Sequence, residues 1–174
     1  MALISRIINI SGTVQGVGFR PFVARTAMAL GITGTVRNTP DGVQIKAGGS
    51  ETAIDDFISR IREHPPELAH IVSIDVIPAK NRSASSSFAI IESSSGKKPT
   101  VEITPDSAVC KKCLKEMNSP ENRRFGHPFI NCTECGPRYS IVYSIPYDRK
   151  NTAMKNFTMC SNCAKEYKDQ SSRF

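Results

Sequence analysis

Between an apolar run and a helical one the chain reads Gly12-Thr13-Val14-Gln15-Gly16-Val17-Gly18-Phe19-Arg20-Pro21-Phe22. Closely spaced glycines let the backbone fold tightly and turn several N–H groups inward, an arrangement that cradles an anion. Arg20 ends the loop with a planar fork of donors suited to two phosphate oxygens at once. Pro21 is expected at the first helical position, where its fixed φ fits and its missing N–H costs nothing. The helix N-terminus would add partial positive charge at the same point. The chemistry implied is capture of a small phosphate by Gln15, Gly16, Val17, Gly18, Phe19 and Arg20. No Gly-Lys-Ser/Thr follows, which excludes a Walker loop, and no acidic ribose ligand follows a G-x-G-x-x-G. A tight turn beside a surface arginine would read the same way at this level.

The second set of chemically capable residues is the cysteines. All six lie after residue 109, as three C-x-x-C pairs. Cys110/Cys113 and Cys132/Cys135 are separated by eighteen residues, a spacing that suits a tetrahedral four-cysteine Zn²⁺ site. Redox dithiols and disulfides are the competing readings. Gly136-Pro137 suits a metal knuckle, and Lys111, Lys112 and Lys115 are expected to offset the thiolates. The segment Cys110-x-x-Cys113-Leu114-Lys115-Glu116 recurs fifty residues on as Cys160-x-x-Cys163-Ala164-Lys165-Glu166, and Arg124-Phe125 recurs as Arg173-Phe174. Cys160 and Cys163 thus form a second, incomplete site, whose next C-x-x-C is expected about eight residues beyond the last residue. The simplest duplication places Cys110, Cys113, Cys132 and Cys135 on one metal. An interleaved set, with Cys132 and Cys135 joining Cys160 and Cys163, is the alternative. His64, His70 and His127 read as surface or structural residues.

These groups need elements to position them. Residues 3–10 read as a strand, with Ile4, Ile8 and Ile10 on one face. Residues 22–30 read as a helix that buries Phe22, Val23, Ala27 and Leu30, with Gly31 as its stop. Strands are expected over 32–37 and 43–47, joined through Pro40-Asp41-Gly42, a strong hairpin signal. Ser50 can cap a second helix carrying Ile54, Phe57, Ile58 and Ile61, ended by Pro65-Pro66. Strands over 71–77 and 88–92 complete a βαββαβ order with room for one extra strand. That order is a ferredoxin-like α+β sandwich. We expect this domain over 1–93, a linker over 94–104, and a zinc region over 105–174, with a first finger near 106–141 and an incomplete second over 156–174. Asp106 is a plausible helix cap there. Phe125, Phe129, Tyr139 and Tyr143 are expected to form a small core.

The loop, together with Gly34-Thr35-Val36-Arg37-Asn38-Thr39-Pro40-Asp41-Gly42-Val43, resembles the two signatures of the acylphosphatase family, G-x-V-Q-G-V-G-F-R and G-x-V-x-N-x-x-D-G-x-V. The resemblance implies the same sandwich fold, with Arg20 as the phosphate clamp and Asn38 as the residue that orients the attacking water. An acyl phosphate is already activated, so positioning and charge neutralisation can suffice without a side-chain nucleophile. The cysteine region, with Arg123-Arg124-Phe125, Pro128-Phe129-Ile130-Asn131-Cys132, Cys135-Gly136-Pro137-Arg138-Tyr139 and Pro146-Tyr147-Asp148-Arg149, resembles the zinc fingers of the HypF carbamoyltransferases. That resemblance implies carbamoyl phosphate or another acyl phosphate as substrate, inorganic phosphate as product and Zn²⁺ as cofactor. It also implies downstream nucleotide-binding and carbamoyl-transfer domains, and a maturation partner with a C-terminal cysteine, in the making of the cyanide ligands of [NiFe]-hydrogenase.

Charge is unevenly divided, net +1 over 1–93 and net +6 over 94–174. Four thiolates on one Zn²⁺ would add −2, so part of the basic excess is counter-charge for a metal centre. That weakens a nucleic-acid reading, as does the scatter of Lys and Arg. No run approaches a membrane span and the first residues lack a signal-peptide core, so a cytoplasmic protein without membrane contact is expected. A stand-alone acylphosphatase with a zinc appendage, and a basic zinc-binding interaction module, are the alternatives.

Overall fold

The computed structural model describes residues 3–79, 86–94, 105–136, 138–169 and 172–174. Its first half is an antiparallel sheet with two helices. Strand β1 (Leu3–Thr13) leads through the glycine loop into α1 (Phe19–Ala29), then β2 (Thr33–Thr39), β3 (Gly42–Ser50), α2 (Glu51–Glu63), β4 (His70–Pro78) and a short β5 (Phe88–Ile90). Strand order is β4-β1-β3-β2-β5, antiparallel except for the β2–β5 pair. The first four strands make the ferredoxin-like sandwich, and β5 is the extra strand, added beside β2.

The core follows from the two periodicities. Ile8 and Ile10 of β1, Val36 of β2 and Val43 and Ile45 of β3 point inward with Val23, Ala24 and Ala27 of α1 and Ile54, Phe57 and Ile61 of α2, all fully buried. Ser50 caps α2, its hydroxyl accepting from the Ala53 N–H at 3.2 Å. Gly31, at φ 64°, follows the α1 C-cap and lets the chain turn back.

One boundary differs from expectation. α1 begins at Phe19, with left-handed Gly18 as its N-cap, so Pro21 is the third helical residue and not the first. The first four helical N–H groups lack intrahelical acceptors anyway, so proline fits there equally well. Starting two residues earlier buries Phe19 and places Arg20 on the first turn, beside the loop.

In the second half, α3 (Lys111–Met117) and α4 (Ser161–Lys168) flank three short 3₁₀ turns. Asp106 does not cap a helix. Cys110 occupies the N-cap of α3, while Asp106 accepts from the Ser140 hydroxyl at 2.7 Å, which holds its carboxyl below the usual range. The expected aromatic core is also absent: Phe125, Phe129, Tyr139 and Tyr143 are 57–82% exposed. The buried cluster here is Cys113, Ile130, Cys132 and Cys135, with Val109, Met117 and Phe174 against it. The expected linker, beyond Ser94, falls outside the described residues, as does Pro137. Ser94 itself donates its N–H to the Asn38 carbonyl at 3.0 Å.

Candidate phosphate site and metal centre

The loop is held by its apolar residues. Val14, Val17 and Phe19 each drop into the core at 1% exposure, and the glycines between them carry the turns, Gly16 at φ 75° and Gly18 at φ 74°. Gln15 is equally buried and ties the loop to the β2–β3 hairpin. Its Nε2 donates to the carbonyls of Thr39 at 2.7 Å and Gly42 at 2.9 Å. The main-chain bonds outside regular elements at this point run from Val14 to Gly12 and from Phe22 to Gly18. Neither bond uses the N–H groups of residues 16–19, which leaves them as candidate donors to an anion.

Asn38 reaches the site by strand register. In β2, Gly34, Val36 and Asn38 alternate onto the buried face, so an amide takes a position that an apolar residue would ordinarily fill. Among the described residues its Oδ1 is buried and has no hydrogen-bond partner. A buried unpaired acceptor is costly, so Asn38 is not explained by packing. Its Nδ2 and the Arg20 Nη2 converge on one atom, the carbonyl oxygen of Tyr147, at 3.4 and 3.1 Å. Arg20 and Asn38, separated by eighteen positions in sequence, thus serve a single oxygen-sized point.

The four cysteines of the first two pairs meet. Their Sγ atoms lie within 4.8 Å of one another, with Cys110–Cys132 and Cys132–Cys135 at 3.9 Å and Cys113–Cys135 at 3.7 Å. A tetrahedral ion with bonds of about 2.3 Å to sulfur needs edges of about 3.8 Å, which these three separations match, so the set suits a structural metal. Gly136, at φ 80°, follows the last cysteine as the knuckle requires. Burial pushes the Cys113 thiol up. It acts the same way on Cys135, but amide donation from Cys110 and Cys132 outweighs it and lowers that thiol to about 7. Lys112 makes its ion pair with Glu134 at 2.9 Å and reaches Cys110 only through a minor electrostatic attraction. The cation on the cluster is Arg173, whose Nη1 donates to Cys113 Sγ at 3.1 Å.

Arg173 reveals how the repeats are joined. It pairs with Glu116 and Cys113 of the first repeat, while Arg123 pairs with Glu166 and Cys163 of the second. At an offset of fifty residues these contacts are equivalent, so each repeat lends an arginine to the other's cysteine helix. The structural equivalent of Arg173 is therefore Arg123, one position before the match suggested by Arg-Phe. Cys160 and Cys163 lie apart from the four-cysteine set. Cys160 is exposed, and amide donation from Cys163 holds its thiol low. Differential alkylation of the metal-loaded chain should label Cys160 and Cys163 first and leave the other four protected. Protection of Cys160 and Cys163 with labelling of Cys110 and Cys113 would restore the interleaved arrangement.

Two further residues escaped sequence reasoning because their contacts are long-range. Tyr147 donates its N–H to Gln15 Oε1 at 3.1 Å, and Asp148 Oδ1 lies 2.9 Å from Arg20 Nη1. The knuckle also presses on the loop: a Cβ at Gly18 would stand 2.7 Å from the Thr133 carbonyl oxygen. Gly18→Ala should therefore cost about 2–4 kcal/mol, combining left-handed backbone strain with overpacking. Gly126→Ala, also at positive φ but with nothing within 4 Å, should cost only the backbone part. Equal shifts in urea midpoint for the two variants, at equal metal content, would count against the knuckle contact. His64, His70 and His127 are exposed and take no part in either site.

A family model described as Acylphosphatase matches residues 6–90, and one described as HypF finger matches residues 109–142. The chain is similar to the carbamoyltransferase HypF of Rhodobacter capsulatus, at 43% identity over 166 residues, covering 95% of this chain and 22% of that protein. It is similar to the crystal structure of full-length HypF in the phosphate- and nucleotide-bound form, at 44% identity and a TM-score of 0.90, covering 99% of this chain and 23% of that one. It is also similar to the acylphosphatase of Lactobacillus johnsonii, at 40% identity over 85 residues, which make up 48% of this chain and 93% of that protein. The chain spans about a fifth of the length of the HypF proteins it matches. Among the described residues no helix is long and apolar enough to cross a membrane. A hydrolase-type sandwich with both signatures in place, followed by a metal-binding four-cysteine finger as in the N-terminal part of HypF carbamoyltransferases, shows that the chain belongs to the acylphosphatase family.

Proposed function

We propose that the chain hydrolyses an acyl phosphate, with carbamoyl phosphate as the substrate in the full-length protein, at the 15–20 loop. The observation that carries this reading is the convergence of Arg20 and Asn38 on one oxygen beside the glycine loop. Arg20 and the loop amides would take the phosphoryl oxygens and neutralise charge as it develops. Asn38 would accept a hydrogen bond from the attacking water at Oδ1, aligning its oxygen with phosphorus, and the water's protons stay with the inorganic phosphate formed. The water oxygen–phosphorus bond forms as the acyl oxygen–phosphorus bond breaks. The electron pair leaves on carbamate, and inorganic phosphate carries the water oxygen. Neither a nucleophile nor a strong base is needed, because carbamate is a good leaving group.

Zn²⁺ is the metal we assign to Cys110, Cys113, Cys132 and Cys135, on the thiolate set and its tetrahedral edges. Bound there, it would supply a closed structural centre. Cys160 and Cys163 would need two further ligands. In the full-length protein, carbamate would pass to downstream domains that carry it to a partner's C-terminal cysteine for [NiFe]-hydrogenase maturation, in the cytoplasm. The relative crystallised with phosphate supports a phosphate site in such chains.

The test is phosphate release from carbamoyl phosphate and from acetyl phosphate by the metal-loaded chain. Hydrolysis of both, with competitive inhibition by inorganic phosphate, is expected of an acylphosphatase site. Absence of release from either substrate would refute it. Tight sequence-specific DNA binding would favour the interaction-module reading instead. The pairing of basic residues argues against that: Arg20, Lys112, Arg123, Arg124 and Arg173 all face carboxylates.

A further inference from the structure

The cradle is filled by the chain itself. Arg20 turns the outer edge of its guanidinium, the edge that takes two oxygens of a carboxylate or phosphate together, toward residues 147 and 148. Nη1 lies 2.9 Å from Asp148 Oδ1, and Nη2 donates to the Tyr147 carbonyl at 3.1 Å. Asn38 Nδ2 donates to the same carbonyl at 3.4 Å, and Gln15 Oε1 receives the Tyr147 N–H at 3.1 Å. Three motif residues from three elements therefore close on two consecutive residues more than one hundred positions downstream.

We propose that residues 146–149 form a pseudo-substrate strap, in which the Tyr147 carbonyl and the Asp148 carboxylate stand in for two phosphoryl oxygens and must be displaced when a phosphate-bearing ligand binds. This inference rests on the assignment of Arg20 and Asn38 to the phosphate site. A phosphate on the outer edge of Arg20 would lie against the Asp148 carboxylate. Both side chains of the pair are largely buried, at 20% and 17% exposure, so water screens that like-charge contact poorly. The two anions exclude each other.

The strap is braced so that it moves as a unit. Asn151 Nδ2 donates to the Pro146 carbonyl at 2.7 Å, the Asn151 N–H donates to the Asp148 carbonyl at 2.8 Å, and an isolated bridge joins Val142 to Thr152 at its base. Its base therefore lies in the region that follows the cysteine knuckle, and occupancy of the acylphosphatase site would be felt there.

The test titrates inorganic phosphate into the metal-loaded chain by calorimetry, comparing wild type, Asp148→Asn, Arg20→Ala and the double variant. Asp148→Asn keeps the shape of the strap and removes its charge, so phosphate should bind about tenfold more tightly, and the gain should vanish in the double variant. In wild type, saturating phosphate should also speed hydrogen exchange of the Tyr147 amide, by releasing it from Gln15. Phosphate binding that depends on Arg20 but is unchanged or weaker in Asp148→Asn, or a Tyr147 amide no faster with phosphate bound, would overturn the strap and leave the site assignment standing. Phosphate binding that does not depend on Arg20 would overturn the assignment itself and the strap with it.

Discussion

Arg20→Ala is expected to lower kcat/KM for an acyl phosphate by at least about 10³, and to weaken inhibition by inorganic phosphate in parallel. Loss of a single preorganised donor typically costs about 10²–10³ in rate. Arg20 supplies a full charge as well as two donors, and an arginine that neutralises a phosphoryl transition state can be worth about 10³–10⁵. Arg20→Lys should recover little, because an ammonium lacks the two-pronged edge. Asn38→Ala should behave differently, with kcat falling about 10²–10³ while phosphate binds within a few-fold of wild type. The split arises because Arg20 holds phosphate in ground and transition states alike, whereas Asn38 is assigned to the water. Steady-state kinetics with phosphate as inhibitor would read both effects. A large rise in the phosphate inhibition constant of Asn38→Ala would move Asn38 from the water to the phosphoryl group.

Removing the metal, or replacing Cys132 with serine, should unfold the second half and leave the first intact. The sandwich has its own core of fully buried residues from Ile8 to Phe88, none of them shared with the cysteine cluster. In the second half the buried cluster consists of three cysteines and Ile130, so the ligands are most of the core. Structural zinc in small fingers contributes about 10–16 kcal/mol at neutral pH, and nothing comparable replaces it here. Burial holds the Cys113 thiol protonated, so metal uptake should release protons and weaken as pH falls. Hydrogen exchange after chelation should show amides of residues 105–174 exposed and those of β1–β4 protected. Retention of protection in both halves without metal would show that the finger is held by its arginine–glutamate exchange alone.

The sandwich was legible because its strands and helices carry unbroken periodicity, and because Ser50, Gly31 and Pro40-Asp41 mark its turns. The loop residues are assigned by type and Asn38 by its place in the second signature; the structure brings Arg20 and Asn38 onto one carbonyl oxygen. What the sequence concealed depends on contacts between distant segments. Tyr147 acts through its main chain, which no residue type advertises, and it meets Arg20 across 127 positions. Arg173 read as the end of a repeat, yet it donates a hydrogen bond to Cys113 Sγ and pairs with Glu116. Phe125, Phe129, Tyr139 and Tyr143 misled for a related reason: aromatic residues in a small cysteine-rich unit suggest a core, but the cysteine cluster with Ile130 takes that place. Pro21 misled by two positions because proline is acceptable anywhere in the first turn of a helix.

The 15–20 loop and Arg20 are proposed to receive a phosphoryl group. A crystal structure of the metal-loaded chain at saturating phosphate tests it most directly. One phosphate is expected in the loop, with its oxygens within hydrogen-bond reach of the N–H groups of residues 16–19 and of both Arg20 Nη atoms, and the Tyr147 carbonyl withdrawn from Arg20. Phosphate bound elsewhere, with Arg20 still paired to Asp148, would contradict it.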